Sequence, residues 1–500
     1  MNPFMAVSST LFAMLFLVLV LANLDLVSSL QASTLDFIGE YFSEYLVWIV
    51  TIIVVFMITV GVSPYGRITL GKDGEKPEFN RFSWFAMLFS AGVGTGILFY
   101  GVAEPMLHWQ NAPFLELEGV APLTPEAARI ALRTTLFHWG FHGWAVYSMV
   151  GLCLAYFAFR KGLPLTVRSA LYPIIGDRIY GPIGNTIDLL AILSTLFGIA
   201  VSLGLGASQM ASGLEYLFGY EFTPMSKLGL ILLVSTIATI SAVSGVSRGI
   251  RRLSEINMWL SIFLISFLLL AGPTAFILTS YFVGTADYFA TFLPMGIWVD
   301  PDPSDGWQSA WTLFYWGWWI SWGPFVGMFM ARISRGRSIR EYVAGTLLGP
   351  TVAGFLWLTV FGATAIDIEL NGAGGLVDAV NEDMTQALFT TYELLRVDWA
   401  TWSVSFLSTV LIVSWFVTSS DSGTLVICTI ICTGEKRPPI GLRIIWGAII
   451  ALVAGILLLA GGLTALQAAS TAIAIPFGAV LMLMMFGVTK SLWLTESITK

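Results

Sequence analysis

The run WTLFYWGWWISWGPFVGMFMA, residues 311–331, contains no Asp, Glu, Lys or Arg and is closed by Arg332. About 20 mostly apolar residues cross the ~30 Å of hydrocarbon in a bilayer, so this stretch reads as a membrane-spanning helix. Trp311, Trp316, Trp318, Trp319 and Trp322 crowd into it, with Gly323-Pro324 near its middle. The rest of the chain has the same character. Of its 500 residues 56% are hydrophobic and 11% charged, and the mean hydropathy is +0.81. A soluble chain carries about 25% charged residues, so this one lacks the polar surface water demands. The apolar excess excludes disorder. A net charge of −7 without a basic block argues against nucleic acid as a partner. The expected surroundings are a lipid bilayer, and the expected class is an all-α integral membrane protein.

Scanning outward gives twelve such runs: about 4–24, 45–63, 82–103, 130–159, 186–218, 228–246, 254–283, 308–331, 339–366, 402–430, 441–460 and 464–489. The first is kept as a helix rather than a signal peptide, because Met1–Ser9 has no basic residue and no small-residue cleavage site follows. Alternate loops and the C-terminal end hold twenty of the 24 basic residues, among them Arg67, Lys72, Arg160, Lys161, Arg335 and Arg443. The opposite loops keep Arg129, Arg133, Lys227 and Arg396 with most of the acids. The positive-inside rule puts the basic loops and both termini in the cytoplasm. Cys153, Cys428 and Cys432 lie in apolar stretches and read as small buried residues, not as a disulfide framework.

Glycines interrupt two spans. The third holds Ala91-Gly92-Val93-Gly94-Thr95-Gly96 and the eighth Trp322-Gly323-Pro324-Phe325-Val326-Gly327. Either alone reads as close helix packing at small residues. As a pair, five spans apart and following two extra helices, they point to inverted-repeat transporters with ligands near the midplane. The expected division is two N-terminal helices and a loop over 1–81, a first five-helix repeat over 82–283 and an extracellular amphipathic connector over 284–307. A second repeat over 308–490 and a short cytoplasmic tail over 491–500 complete it.

Aromatic residues supply the candidate site. On an ideal helix Trp318, Trp319 and Trp322 fall within about 100° of arc, and Trp139, Trp144 and Tyr147 on the fourth span within about 140°. Interfacial belts account for most membrane tryptophans. A cluster of ring faces is also what binds a quaternary ammonium, each face attracting the cation by ~0.5–2 kcal/mol.

The runs 81–106, 137–148, 311–342 and 416–424 closely resemble the betaine/choline/carnitine transporter family, and the resemblance extends over essentially the whole chain. It implies twelve helices with a five-plus-five inverted-repeat, LeuT-like core, assembled as a homotrimer and moving small onium compounds. It implies a cage of Trp139, Trp144, Tyr147 and Trp319, with Trp318 and Trp322 nearby and Gly94 and Gly96 in the glycine run. It also implies a sodium ion, the coupling ion, held by the Thr418 and Ser419 hydroxyls and the carbonyls of Ser90, Val93 and Trp415. On the residues alone, Thr418 and Ser419 read first as hydroxyls bonded to the preceding turn. A second sodium site would involve Ser202 and Phe325. The family's sodium-independent exchangers place an Arg on the seventh span and a Met four residues after the last tryptophan of the eighth. Here 254–283 has no Arg and that position is Val326, which favours sodium symport over exchange.

Choline-selecting members place an Asp at the third glycine of the helix-3 run, which is Gly96 here. With no acid expected near the cage, an unpaired cation would be costly to bury. The expected substrate is therefore a zwitterion, glycine betaine first and dimethylsulfoniopropionate next, with choline uptake and substrate:product exchange as the alternatives. Gly96→Asp is expected to admit choline. Asp421, a carboxylate at membrane depth, is a functional candidate by default and is placed outside the ion's immediate ligands. Gly323 stands where family members often have Ser, with no reading attached. An enzyme would need a polar constellation. His138 and His142 lie at i,i+4, but Trp139 stands where a His-Glu-x-x-His motif has its Glu, so neither a catalytic role nor an organic cofactor is expected.

Overall fold

The computed structural model describes residues 2–92, 94–243, 247–435 and 437–496. The main helices are α1 (Pro3–Ala22), α2 (Leu24–Val62), α3 (Arg81–Gly92), α4 (Thr95–Gln110), α5 (Pro125–Trp139), α6 (Phe141–Ala155) and α7 (Pro182–Phe218). They continue with α8 (Pro224–Val243), α9 (Ser247–Ala271), α10 (Thr274–Ile297), α11 (Phe314–Ile333), α12 (Ile339–Asn371), α13 (Asp398–Ile431) and α14 (Ile440–Thr495). The protein is an all-helical membrane protein, and eight of its described helical segments are long and apolar enough to cross a bilayer by length and composition. Local signals start several of the helices. Asn2 accepts from the Phe4 and Met5 amides ahead of Pro3, Thr124 caps Ala127 ahead of Pro125, and Ser338 caps Glu341.

The twelve apolar runs fall on these helices with informative departures. The 56 residues of α14 would extend about 84 Å at 1.5 Å per residue, more than two bilayer cores. A break at Gly461-Gly462, with Gly462 at φ 67°, cuts it into two arms matching runs 441–460 and 464–489. The run 254–283 is not one helix. Gly272-Pro273 ends α9, and α10 then packs across α2, α5 and α12. The third run is divided between α3 and α4, as its glycines predict. The eighth is not interrupted where expected, since α11 runs through Gly323-Pro324 and its irregularity is a π-helical turn over Ser309–Leu313. Those glycines serve packing instead: a Cβ on Gly327 would lie 2.7 Å from Val150 and 2.9 Å from the Gly151 amide of α6. The fourth run, read as continuous, is broken between α5 and α6 at Gly140.

The basic loops gather on one face. The Asn2 amide donates to Ile431 O at 3.1 Å, Thr69 pairs with Ser338, and Arg335 bonds Glu75. Glu496, beyond α14, accepts from Arg160 at 2.7 and 2.8 Å, from Lys161 at 2.9 Å and from Tyr156. Burial alone would raise its carboxyl, but these bonds outweigh it and hold the group at about 2. The acid-rich loops meet on the opposite side, where Arg129 bridges Glu118 and Asp287.

Two predictions follow from this packing. Gly327→Leu wedges α11 from α6 and lowers the thermal midpoint of the purified protein, overpacking costing about 1–3 kcal/mol. Gly229→Leu, with open space around it, leaves the midpoint unchanged. A depressed acid stabilises above its ordinary value, 4.5 here, and loses that contribution as pH falls toward about 2. A spin label at Leu494 is therefore immobile above that range and loosens through it, but is mobile throughout in Glu496→Gln.

Candidate substrate site

The break at Gly140 builds the site. It frees backbone groups at the end of α5 and the start of α6, where no water is available to satisfy them. The His138 carbonyl accepts from Trp319 Nε1 at 3.0 Å, and the Phe141 amide donates to the Tyr288 hydroxyl at 2.7 Å. A Cβ on Gly140 would lie 2.5 Å from that hydroxyl, so only glycine lets α10 approach. Trp139 is thereby the last residue of α5, facing α11, and Trp144 and Tyr147 follow on α6.

The six aromatic candidates meet as one buried group. Trp318 and Trp319 stack at 4.8 Å, and Trp139 stands edge-on to Trp319 at 5.0 Å and to Trp318 at 6.2 Å. Tyr147 contacts Trp319 at 6.0 Å, Trp322 at 6.3 Å and Trp144 at 5.7 Å. Such spacings are ordinary aromatic packing distances, so the rings fill the space between them and must part to admit a ligand. The two glycines lie against them. A Cβ would come within 2.8 Å of Trp322 at Gly94 and 2.4 Å of Trp318 at Gly96. An Asp at Gly96 therefore cannot be added without displacing Trp318. The hydroxyl of Tyr147 and Nε1 of Trp322 are buried donors without a hydrogen-bond partner.

One expectation is overturned. An acid does lie beside the cage: Glu104, fully buried on α4. Its Oε2 accepts from Trp139 Nε1 at 2.8 Å and from the Tyr315 hydroxyl, and its Oε1 meets His138 Nδ1 at 2.7 Å and His108 Nε2 at 3.3 Å. The third apolar run ends at about 103, just short of Glu104, whereas α4 continues to Gln110. Tyr315 and Tyr100 join the site beyond the candidates, and His138, a candidate only as a metal ligand, joins it as well, with Tyr100 packing on Trp139, Tyr315 and Trp318. The signal was present, an ionisable residue at the edge of a membrane span. Gly140 breaks the helix between His138 and His142, and they take different partners: His138 bonds Glu104, while His142 stacks on Trp316 at 5.2 Å. Ligand atoms of Glu104, His108 and His138 lie within 4.8 Å of one another, but both Glu104 oxygens are already taken up by this network.

The ion-site candidates are divided between two helices. Ser90 is on α3, Val93 lies outside the described residues, and Trp415, Thr418 and Ser419 are on α13. Phe416 of α13 and Thr95 at the start of α4 both abut Gly206 of α7, which brings α13 to the broken third span. Thr418 Oγ1 donates to Ser414 O at 3.1 Å and Trp415 O at 3.0 Å, bonds to the preceding turn. The donor set is neutral oxygen, which suits a hard cation. Asp421 pairs instead with Arg443 on α14 at 3.4 Å. Ser202 gives its carbonyl to Thr95 Oγ1 at 2.8 Å, and Phe325 packs on Trp322 at 5.5 Å.

Broken helices around a buried, aromatic-lined centre define the class as a polytopic membrane transporter, not an enzyme. The family model for BCCT, betaine/carnitine/choline family transporters, matches residues 4–497. The chain belongs to that family. It is 42% identical over 471 residues to the glycine betaine transporter OpuD of Bacillus subtilis, covering 94% of this chain and 90% of that one. It is 41% identical over 492 residues to a glycine betaine transporter of Acinetobacter baylyi, covering 98% and 73%. A glycine betaine/proline/choline transporter of Vibrio parahaemolyticus is 38% identical over 453 residues, covering 88% and 81%.

The close contact at Gly96 gives a prediction in place of the choline gain expected for Gly96→Asp. Gly96→Ala pushes Trp318 out of its stack and reduces substrate uptake at least about tenfold, equivalent to about 1.4 kcal/mol. Insertion is unaffected, and a Trp318→Phe second change restores part of the uptake.

Proposed function

We propose that this protein imports a zwitterionic onium compound by sodium symport across the bacterial plasma membrane, glycine betaine first and dimethylsulfoniopropionate next. The observation that carries this reading is the convergence of Trp139, Trp144, Tyr147, Trp318, Trp319 and Trp322 from α5, α6 and α11. Their faces attract the onium group. The unpartnered Tyr147 hydroxyl and Trp322 N–H are suited to the substrate's carboxylate. The names of the Bacillus and Acinetobacter relatives support betaine. Sodium is taken as co-substrate by Thr418 and Ser419 with the Ser90, Val93 and Trp415 carbonyls. The basic face and both termini are cytoplasmic by the positive-inside rule. Alternating access comes from the two halves, 82–283 and 308–490, rocking about the midplane site. The working form is a homotrimer, as the family resemblance implies.

A second reading is favoured by Glu104. A buried carboxylate next to Trp139 offsets the charge of a substrate with none of its own, which supports choline as a further substrate, as the name of the Vibrio relative has it.

Purified protein in liposomes with an inward sodium gradient accumulates labelled betaine, and replacing sodium by potassium stops accumulation. Uptake unchanged in potassium would sink symport and favour exchange. Trp319→Ala weakens half-saturation by betaine about tenfold or more, and Trp399→Ala, 85% exposed, leaves it unchanged.

A further inference from the structure

We propose that Glu104 is a positioning residue that holds both walls of the cage and makes the face of Trp139 more negative, so that it sets the preference for a cation over an uncharged ligand of the same shape. This rests on the reading of the site as an onium cage.

Glu104 is fully buried on α4, and its Oε2 meets two groups: an indole N–H, which can only donate, and the Tyr315 hydroxyl. The Trp139 N–H is therefore held by a carboxyl oxygen, and with Glu104 ionised that bond is stronger than one to a neutral acceptor. Donation from an indole N–H to such an oxygen moves electron density into the ring. The attraction between an aromatic face and a cation is electrostatic, and with no water in between it is weakly screened. Trp139 is in ring contact with both Trp318 and Trp319.

The second wall is fixed from the same carboxylate. His138 bonds Glu104 Oε1 through Nδ1 at 2.7 Å and Thr312 through Nε2 at 3.1 Å, so its ring is held at both ends. The carbonyl of that same residue receives Trp319 Nε1. Glu104 thus reaches Trp139 directly and Trp319 through His138. Tyr315, its other donor, stacks on Trp319 at 5.5 Å. One group orients rings from α5 and α11 without itself meeting the ligand.

The test compares two inhibitors of labelled betaine uptake in proteoliposomes: choline and its uncharged carbon isostere 3,3-dimethylbutan-1-ol. The ratio of their inhibition constants is independent of how much protein inserts. In Glu104→Gln, whose amide oxygen can still accept from Trp139 while its NH2 faces the histidines, the preference for choline falls about tenfold. In a Trp139→Phe background the same change alters the ratio less than about twofold, because the charge acts through the indole. Tyr315→Phe, which removes the competing donor, raises the preference about twofold, and it tests the proposal even if Glu104→Gln does not fold. An unchanged ratio in Glu104→Gln, an equal loss with and without Trp139, or a fall in Tyr315→Phe overturns the proposal. If the wild-type protein prefers neither inhibitor, it is the onium reading that fails.

Discussion

Inside hydrocarbon a freed backbone N–H or C=O has no water to turn to, and that constraint organises the centre of this protein. Each helix break has to be answered by another part of the chain. At Gly140 the answers are the indole of Trp319 and the hydroxyl of Tyr288. Around the start of α4, Thr95 bonds the Ser202 carbonyl, while Gln209 and Trp357 donate to the carbonyls of Leu98 and Ile97, which ties α7 and α12 to it. The bonds at Gly140 bring α10 and α11 to the same centre. The aromatic group is assembled by the repair of the backbone.

Charge is sorted by the same logic. The exposed face gathers basic loops and ties them with ordinary ion pairs such as Arg335–Glu75 and Arg160–Glu496. Such pairs contribute modestly where water screens them. Several buried ionisable groups are enclosed by partners. Arg168 pairs with Asp188, Asp421 with Arg443, and Glu104 with two histidines, a tryptophan and a tyrosine. Glu104 lies against the candidate ligand-binding rings. A cage without charged side chains of its own thus borrows one from the layer behind it.

Much of the fold was legible because membrane helices are written in long apolar runs. The runs at 186–218 and 402–430 lie within single helices, and Gly461-Gly462 divides the last two runs where the sequence gap between them lies. The failures are local and have a common cause. Gly272-Pro273 stops a helix inside a run that remains apolar on both sides, so hydropathy cannot see the stop. Gly140 and Gly323-Pro324 were misjudged in opposite directions. A glycine permits a break but does not demand one; at Gly140 the helix breaks with Tyr288 packed against it, while α11 stays helical through Pro324 with α6 packed on its glycines.

The sequence by itself determined the class: an apolar, charge-sorted helical membrane protein whose tryptophan-rich and glycine-rich segments mark out a family. It also named the aromatic residues of the candidate site, because helical periodicity and motif are local properties. Only the tertiary structure decided that Glu104 lies behind those rings, that His142 stacks on Trp316, and that the space beside Gly96 is already filled by Trp318. These are relations between helices apart in the chain. They are set by which backbone groups and ring faces remain to be satisfied once the spans have packed, and no window of sequence contains that information.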